Sequence, residues 1–401
     1  MGAAFVLASL RCYAPPHTPG RKLSANVLLS PCPAAPVKAA IVGTGLIGAS
    51  VGLALRDVAD VTEIVACDSL AGRAAEAVGR GAADRVAGSP EEAGQDADLV
   101  VVATPVAAIV DTACLASLRA RPGAVVTDVG SVKGRIVDEA QRRLPAHVRF
   151  VGGHPMAGSE QDGPAAADGS LFRGATWVVT PTAATDPEAL AVVHRVVSGF
   201  GSAVVALDPE HHDRLVAVVS HLPHLAAGTL LNLAAARATE AEGLLALAAG
   251  GFRDMTRVST GDSKIWLDIC EDNAPAIVEV IDEYVDALTK IREAIALDNR
   301  GEIRRLLESA RIARNRIPAK RGVRAADLHE MTVALADRPG ELATITTLIG
   351  SAGINIEDIQ MVHSAEGGQG FLYVIVAGEQ QAEKAAHALE RGGYAPRVHH
   401  L

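Results

Sequence analysis

The sequence predicts an α/β protein, in which a parallel sheet wound by helices is followed by a mostly helical region and a small βαββαβ unit. Three patterns predict this: buried-type strands alternate with amphipathic helices up to residue 207, helical periodicity then dominates, and strands return from residue 328. With 401 residues the chain is too long for one ordinary core. We predict domains at 37–207, 208–316 and 328–401, with 317–327 as a linker.

The first 36 residues fit none of these patterns. An apolar stretch at residues 3–10 has no basic residue before it, and the chain up to Pro36 is rich in Pro and Ala without periodicity. We therefore interpret residues 1–36 as a disordered extension or an over-long gene start, in preference to a targeting peptide.

Composition narrows the classes of function. A net charge of −10 and the lack of any Lys/Arg-rich run argue against a nucleic-acid surface and an anionic membrane partner. The five cysteines are scattered and never spaced as CxxC, which favours a reducing cytoplasm over disulfides or a zinc site. We also see no apolar run of membrane-spanning length. A cytoplasmic protein without a metal is expected.

The first domain begins with a Rossmann-type nucleotide-binding pattern. An apolar strand, Val37–Val42, leads into a glycine loop and then into a helix, Ala49–Arg56. In such a loop the first glycine permits a tight turn, the second lets the backbone approach a pyrophosphate, and the third lets helix and strand pack closely. The residues expected to bind the cofactor here are Gly43, Thr44, Gly45, Leu46, Ile47 and Gly48.

The second predicted strand ends at Asp68, twenty residues after Gly48. A carboxylate at this point accepts hydrogen bonds from a ribose diol. It would repel a 2′-phosphate about 4 Å away by about 4 kcal/mol at an effective dielectric near 20. NAD is therefore favoured over NADP, although Arg73 lies close enough in sequence to soften that preference. Thr104, at the end of a later strand, is also expected to bind the cofactor.

Strands and helices continue this alternation through the rest of the chain. Further strands of the same sheet are expected at Asp98–Thr104, Val125–Asp128, Phe150–Val151, Thr176–Thr180 and Ser202–Leu207. Helices are expected at His211–Ala235, Ala241–Ala249, Ser263–Ile269 and Ala274–Arg314. The Ala- and Leu-rich faces of these helices are broad enough to predict helix-on-helix dimerisation. From Leu328 the order βαββαβ predicts a ferredoxin-like unit.

One histidine stands in a glycine-rich stretch, Gly152–Glu160, downstream of the cofactor loop. The proton affinity of histidine lies nearest neutrality, so His154 can take a proton from an alcohol while a hydride leaves the same carbon. We expect it in a glycine-rich bend. The alternative is a packed, hydrogen-bonded loop residue without a catalytic role.

Two other segments carry groups suited to a substrate. Ser131 follows a predicted sheet strand, where ligands of wound sheets bind, and it could orient a substrate or His154. An ordinary helix cap is the alternative. Arg253 and Arg257 lie four residues apart, and the planar fork of arginine suits a carboxylate. An exposed helix face is the alternative for these two.

A group of histidines opens the helical domain. His221 and His224 flank Pro223, and His211, His212 and Asp213 precede them. We do not expect a metal site, because Pro223 distorts the helix and no three ligands have familiar spacing. A polar lining of an interdomain cleft is the preferred interpretation.

Together these segments resemble prephenate dehydrogenases, from about Val37 to Pro318. The resemblance rests on the glycine loop with Asp68, Asp128-Val129-Gly130-Ser131-Val132-Lys133, Gly153-His154-Pro155-Met156-Ala157-Gly158, Ser220-His221-Leu222-Pro223-His224, and Arg253-Asp254-Met255-Thr256-Arg257 followed by Trp266. The tail looks like an ACT domain, through Asp337-Arg338-Pro339-Gly340-Glu341-Leu342 and Gly353-Ile354-Asn355-Ile356.

The resemblance implies a homodimeric enzyme of tyrosine biosynthesis that oxidises and decarboxylates prephenate to 4-hydroxyphenylpyruvate with NAD. It implies that His154 accepts the hydroxyl proton, that Ser131 orients His154 or the nicotinamide, and that Arg257 holds a substrate carboxylate. Other residues implied to line or gate the pocket are Ser159, Glu160, Asp213, His221, His224 and Trp266. The ACT resemblance implies a tyrosine effector near Asp337, Pro339, Gly340, Asn355 and Ile356.

Three alternatives stay open at this point. An arogenate dehydrogenase would carry out the same reaction on the transaminated substrate, and Glu160 could pair with its ammonium group. A β-hydroxyacid dehydrogenase would use a catalytic lysine of the helical part, for which Lys264 is available. A non-catalytic sensor would couple a nucleotide-binding core to an amino-acid-binding tail. The tail could also serve oligomer contacts only.

Overall fold

The structure is a computed structural model that describes residues 37–58, 60–158, 161–238, 247–260, 263–314, 328–336, 338–363 and 369–400. Several predictions lie outside these residues. They concern the extension 1–36, the linker 317–327, residues 241–246 of the predicted helix Ala241–Ala249, and the expected site residues Ser159, Glu160 and Asp337.

An eight-stranded sheet forms the first domain, in the order β3-β2-β1-β4-β5-β6-β7-β8. Its strands are β1 Val37–Val42, β2 Val61–Cys67, β3 Arg85–Val86, β4 Leu99–Val102, β5 Val125–Asp128, β6 Arg149–Pro155, β7 Thr176–Thr180 and β8 Ala203–Ala206. The strand order reverses between β1 and β4, and such a switch point is where wound sheets bind nucleotides. The predicted wound sheet is confirmed, including its last three strands, β6, β7 and β8.

Helices cover both faces of this sheet. They are α1 Leu46–Leu55, α2 Ala71–Gly79, α3 Pro90–Ala93, α4 Ile109–Ser117, α5 Gly134–Arg143 and α6 Pro187–Gly199. One apolar cluster fills the side of α4 and α5, and a second fills the side of α1 and α6. Strands buried on both faces explain the nearly continuous apolar runs in the sequence.

The sheet differs from the prediction around β6. We expected a wholly parallel sheet and a bend at His154, but β6 and β7 are antiparallel and His154 lies within β6, paired with Val178. The strand pairs with β5 through Val151 on one side and with β7 from Gly152 onward on the other. The glycines therefore belong to an extended strand, and periodicity could not separate that from a bend.

The second region is helical, as predicted. It contains α7 Pro209–Val216, a π-helical segment Ala217–His221, α8 Leu222–Ala238, α9 Gly250–Thr256, a 3-10 turn Arg257–Thr260, α10 Ser263–Asp272, α11 Ala274–Ala296 and α12 Arg300–Arg314. The π segment lies just before Pro223, which has no N–H to continue the helical bonding. The predicted single stretch Ala274–Arg314 is two helices, and Asp298 between them has a φ of +48°.

One continuous helix of the described residues, Pro209–Ala238, is long and apolar enough to cross a membrane by length and composition. The expectation that no stretch reaches that length is therefore wrong. Only 22% of its most apolar window is buried in the single chain. Length and composition do not identify a membrane span, because a core helix of a soluble protein meets the same two criteria.

The last region is the expected βαββαβ unit. It consists of β9 Leu328–Ala336, α13 Glu341–Ser351, β10 Asp358–His363, β11 Gln369–Ala377, α14 Glu379–Arg391 and β12 Arg397–His400. The strands form an antiparallel sheet in the order β10-β11-β9-β12. Its own apolar core includes Met331, Ile345 and Leu372.

Candidate active site

The glycine loop leaves room for a ligand at one position only. Gly43 has a φ of +94°, and a Cβ there would lie 2.4 Å from the carbonyl oxygen of Ala103. A Cβ on Gly48 would lie 1.9 Å from the carbonyl oxygen of Gly43. At Gly45 the nearest atom is 4.0 Å away. A side chain at the first or third glycine would therefore clash with the protein's own backbone. The second glycine faces open space, as a pyrophosphate site requires.

Two polar side chains flank this space. The Asp68 carboxylate accepts hydrogen bonds from the amide of Thr44 at 2.7 Å, from its hydroxyl at 3.0 Å, and from the amide of Leu70 at 2.9 Å. The hydroxyl of Thr104 is buried and has no hydrogen-bond partner among the described residues. A buried hydroxyl without a partner is costly, so a ligand beside Thr104 would satisfy it. The residues present fit a bound dinucleotide.

A buried ion pair fixes the strand that carries His154. Asp128, at the end of β5, pairs with Lys133, and both side chains are fully buried. Asp128 accepts from the amide of Gly153 at 3.1 Å, and the Lys133 ammonium donates to the carbonyl of Gly153 at 2.9 Å. Burial lowers the pKa of Lys133, and Asp128 opposes that shift. The peptide groups next to His154 are thus held from a neighbouring strand.

Three side chains form a hydrogen-bonded chain that starts at His154. Its Nδ1 lies 2.8 Å from Nε2 of His212, and Nδ1 of His212 lies 2.8 Å from Oδ1 of Asp213. Asp213 also accepts from the amides of Lys133 and Gly134, each at 2.7 Å, at the N-terminus of α5. The chain runs from strand β6 through α7 to the start of α5, so it joins the sheet to the helical region.

This chain assigns the protons on both imidazoles. An ionised carboxylate only accepts, so Nδ1 of His212 carries hydrogen toward Asp213. With its hydrogen on Nδ1, the His212 ring presents Nε2 as an acceptor, and Nδ1 of His154 donates to it. Nε2 of neutral His154 then carries no hydrogen and can accept a proton. Burial, together with the neighbouring His212, Lys133 and His221, holds the pKa of His154 well below its usual range.

His221 lies deeper in the protein than a pocket lining would. It is 1% exposed, and its Nδ1 lies 3.2 Å from Nδ2 of Asn273, which donates to the carbonyl of Asp213 at 2.8 Å. Burial lowers the pKa of His221 to about 4. His221 and Asn273 therefore support the backbone of α7 and stay neutral at neutral pH.

His224 and Trp266 form an aromatic wall. Their rings are stacked, with centroids 3.5 Å apart and planes 12° apart. Burial lowers the pKa of His224, and a hydrogen bond to the backbone of Val258 opposes this shift. That bond ties α8 to the turn that begins at Arg257, whose side chain is exposed. The expected substrate arginine therefore stands next to a residue anchored to the wall.

Comparison with known proteins identifies the family. Residues 51–206 match the profile "Prephenate dehydrogenase, nucleotide-binding domain", residues 208–309 match "Prephenate dehydrogenase, dimerization domain", and residues 329–391 match "ACT domain". The prephenate dehydrogenase of Bacillus subtilis is 31% identical over 355 residues, which cover 87% of this chain and 95% of that protein. This chain belongs to the prephenate dehydrogenase family.

Solved members of the prephenate dehydrogenase family share this architecture. The Aquifex aeolicus prephenate dehydrogenase, solved with hydroxyphenyl propionate and NAD+, has a TM-score of 0.67 and 31% identity, covering 70% of this chain and 98% of its own. Synechocystis arogenate dehydrogenase has a TM-score of 0.60 and 31% identity, covering 69% and 98%. The predictions of an NAD-dependent oxidoreductase, a dimerisation domain and an ACT domain are confirmed. The family decides against a β-hydroxyacid dehydrogenase that uses Lys264.

The structure brings together only some of the site residues expected from the sequence. His154 and Asp213 are joined through His212, but Asp213 and His221 are buried behind the site. Ser131 makes no hydrogen bond within the described residues, and its side chain is half-buried on the loop before α5. Two residues that hold the site together, Lys133 and Asn273, had no predicted role, and His212 was expected only as part of the polar lining of an interdomain cleft. For His212 a signal was present, because it stands directly before Asp213.

Proposed function

We propose that the chain oxidises prephenate with NAD and releases carbon dioxide and 4-hydroxyphenylpyruvate, with His154 as the base. The observation that carries this proposal is the hydrogen-bonded chain from His154 through His212 to Asp213. It leaves a neutral imidazole with a bare Nε2, which is the form a base needs to take a hydroxyl proton. The names of the Bacillus subtilis and Aquifex aeolicus relatives support prephenate as the substrate.

The protein's own groups handle the proton of the ring hydroxyl. Nε2 of His154 accepts that proton, and NAD would supply the acceptor for the hydride that leaves the same carbon. The bond to the ring carboxylate then breaks and carbon dioxide leaves, and the bond's electron pair completes the aromatic ring. The phenolate oxygen takes back the proton held on His154, which gives the hydroxyl of the product. The imidazolium formed on His154 donates to His212, which in turn faces the Asp213 carboxylate. The Asp213 carboxylate at the end of this chain offsets the positive charge that appears in this low-dielectric site.

We propose the remaining roles from the family resemblance and, for the described residues, from their positions in the structure. Gly43, Gly45, Gly48 and Asp68 would hold the dinucleotide, with Thr104 beside it. Arg257 would bind a substrate carboxylate, because a guanidinium forms paired, charge-assisted hydrogen bonds with carboxylates. The residues that would complete the pocket are Ser131, Ser159, Glu160, His224 and Trp266, whereas Asp213 and His221 would act from behind it.

Arogenate is the second candidate substrate. Synechocystis arogenate dehydrogenase is as similar in sequence as the Aquifex aeolicus enzyme, and a cyclohexadienyl dehydrogenase of Zymomonas mobilis is 33% identical over 258 residues, covering 64% of this chain and 88% of that protein. Glu160, the residue that could pair with an ammonium group, lies outside the described residues. We favour prephenate because the relatives that cover most of this chain carry that name.

The test is to follow NADH absorbance with prephenate and, separately, with arogenate. We expect turnover on prephenate to exceed turnover on arogenate. Replacing His154 by Asn should lower turnover about a hundredfold or more while substrate still binds, since general-base catalysis contributes that much. Undiminished turnover in the His154→Asn variant would remove His154 from the mechanism. Turnover on arogenate alone would show that arogenate, and not prephenate, is the substrate.

Tyrosine is the proposed effector of the ACT domain. Gly340, with a φ of +94°, stands before α13, and a Cβ there would meet nothing within 4 Å. Asn355 stands in the loop before β10, where its amide donates to Glu357 at 2.6 Å. The other residues that we propose to contact this ligand are Pro339 and Ile356, with Asp337 outside the described residues. If tyrosine inhibits equally well after residues 326–401 are deleted, this regulation is wrong.

The proposal keeps the predicted domains at 37–207, 208–316 and 328–401 and a homodimer formed through the helical region. The matched ranges 51–206, 208–309 and 329–391 support these boundaries. We also propose a cytoplasmic location, supported by free thiols at Cys67, Cys114 and Cys270.

A further inference from the structure

An ion pair outside the catalytic constellation borders the cofactor loop. Arg73, on α2, donates from Nη2 to Oδ2 of Asp162 at 2.5 Å. The other oxygen of Asp162 accepts from the amide of Gly163 at 2.7 Å and lies 4.0 Å from the point a Cβ of Gly45 would occupy. A carboxylate paired with a guanidinium therefore faces the open side of the glycine loop.

The segment that carries this carboxylate is fixed by packing on the helices that flank the loop. Ala167 is buried against Ala49 on α1 and Ala77 on α2. The amide of Asp168 donates to the hydroxyl of Ser50 at 3.0 Å. The chain five residues after Asp162 is thus fixed to α1 and α2, and its partner Arg73 lies on α2 itself.

Arg73 is the basic residue that the sequence places nearest after Asp68, and Asp68 is the expected ribose ligand. A guanidinium close to this ribose is the group that binds the 2′-phosphate of NADP in dinucleotide-binding folds. In this structure Arg73 already binds a carboxylate. An NADP molecule would have to displace that carboxylate before it could use the guanidinium.

We propose that the Arg73–Asp162 pair makes the site selective against NADP. Asp162 withholds the guanidinium from a 2′-phosphate, so the repulsion of that phosphate by Asp68 is left without compensation. NAD has no 2′-phosphate and does not need Arg73. This inference rests on the proposed function only in taking the glycine loop to bind a nicotinamide dinucleotide.

The test is calorimetric titration of the full-length chain with NAD and with NADP, without substrate. Replacing Asp162 by Asn keeps the size of the side chain and removes its charge, which leaves Arg73 available. We expect the ratio of the NADP dissociation constant to the NAD dissociation constant to fall at least about tenfold, equivalent to 1.4 kcal/mol. The ratio, more than either constant, separates the 2′-phosphate from the pyrophosphate that both cofactors share.

Two further variants make the result specific. In the double variant Arg73→Gln with Asp162→Asn the ratio should return to that of the unsubstituted chain, because the guanidinium is gone. Asp138→Asn is the matched control, since it removes a carboxylate from another exposed arginine pair, with Arg142 on α5. That control should leave the ratio unchanged.

Each other outcome overturns the inference. An equal gain for NAD and NADP would assign Arg73 to the shared pyrophosphate, and a lower ratio that persists in the double variant would assign the effect to Asp162 alone. Failure of the unsubstituted chain to bind NAD would overturn the proposed cofactor site and this inference with it. Normal NAD binding with an unchanged ratio in Asp162→Asn would overturn the inference alone.

Discussion

Two glycine-rich regions build this site, and their glycines serve different purposes. In the cofactor loop Gly45 faces open space, where a ligand can approach the backbone. In strand β6 a Cβ on Gly152 would lie 2.4 Å from the hydroxyl of Thr180, and one on Gly153 would lie 2.6 Å from the carbonyl oxygen of Asp128. The loop leaves space for a ligand, whereas the strand leaves space for the protein's own neighbouring strands.

This difference separates binding from positioning. The cofactor loop is built mainly from a local strand–loop–helix unit, with Gly43 packed against the backbone of Ala103 after the neighbouring strand. The catalytic strand depends on groups distant in sequence, namely Asp128, Lys133, His212 and Asp213. A substitution at Gly45 should therefore affect cofactor affinity, and substitutions behind the catalytic strand should affect stability and turnover.

The largest effect should come from the buried ion pair behind the catalytic strand. Replacing Lys133 by Met leaves the Asp128 carboxylate buried without its cation, which should cost about 3–5 kcal/mol of unfolding free energy. Chemical denaturation monitored by circular dichroism measures this loss. Arg142→Met, which breaks an exposed pair on α5, is the control and should unfold with the unsubstituted chain. Equal midpoints for the two variants would contradict the positioning role of Lys133.

Next in size is a matched pair of glycine substitutions in the cofactor loop. Gly48→Ala should lose about 3 kcal/mol of stability or more, because its Cβ would overlap the carbonyl oxygen of Gly43, 1.9 Å away. Gly45→Ala should keep its melting temperature and lose NAD affinity, because the methyl group enters the open space only. Thermal unfolding and NAD titration of both variants test this. A destabilised Gly45→Ala protein would mean that this glycine serves packing.

Arg257→Gln tests whether the helical region supplies the side chain that binds a substrate carboxylate. Loss of charge-assisted hydrogen bonds should raise the Michaelis constant for prephenate about tenfold to a hundredfold with little change in kcat. Arg253→Gln, four residues earlier on α9, is the matched control. Steady-state assays that find the same Michaelis constant in Arg257→Gln and in the unsubstituted chain would refute the carboxylate clamp.

The smallest and most informative effect concerns His212. His154 acts as a base only when neutral, and its pKa is lowered, so activity should persist as the pH falls below the usual histidine range. His212→Gln removes one cause of that lowering, so the acidic limb of the pH profile of kcat should move to higher pH. Loss of the hydrogen bond should also reduce kcat roughly tenfold.

The pH at which kcat falls on the acidic side of its profile distinguishes positioning by His212 from a merely structural role. A structural defect would lower kcat at every pH and leave the limb where it was, and that result would count against the relay. His194→Gln, an exposed substitution on α6, should change neither quantity.

Much of the architecture followed from local patterns. The strand–glycine–helix order, the helical period after residue 208 and the βαββαβ tail were each predicted, because each depends on residues close together in sequence. The antiparallel pairing of β6 with β7 was missed, since an apolar strand carries no mark of its partner's direction. The helix expected at His211–Ala235 lies within Pro209–Ala238, but the π-helical segment before Pro223 was not predicted, because it depends on how the backbone accommodates the proline.

By itself the sequence determined the cofactor loop, the carboxylate at Asp68 and the choice of His154 as the titratable group, because these depend on residue type and short spacing. Only the tertiary structure decided which nitrogen of His154 is free to accept a proton. That depends on His212 and Asp213, 58 residues or more along the chain, meeting the end of β6. Hydrogen-bond direction is set by partners in space, and packing of helix against sheet brings those partners together.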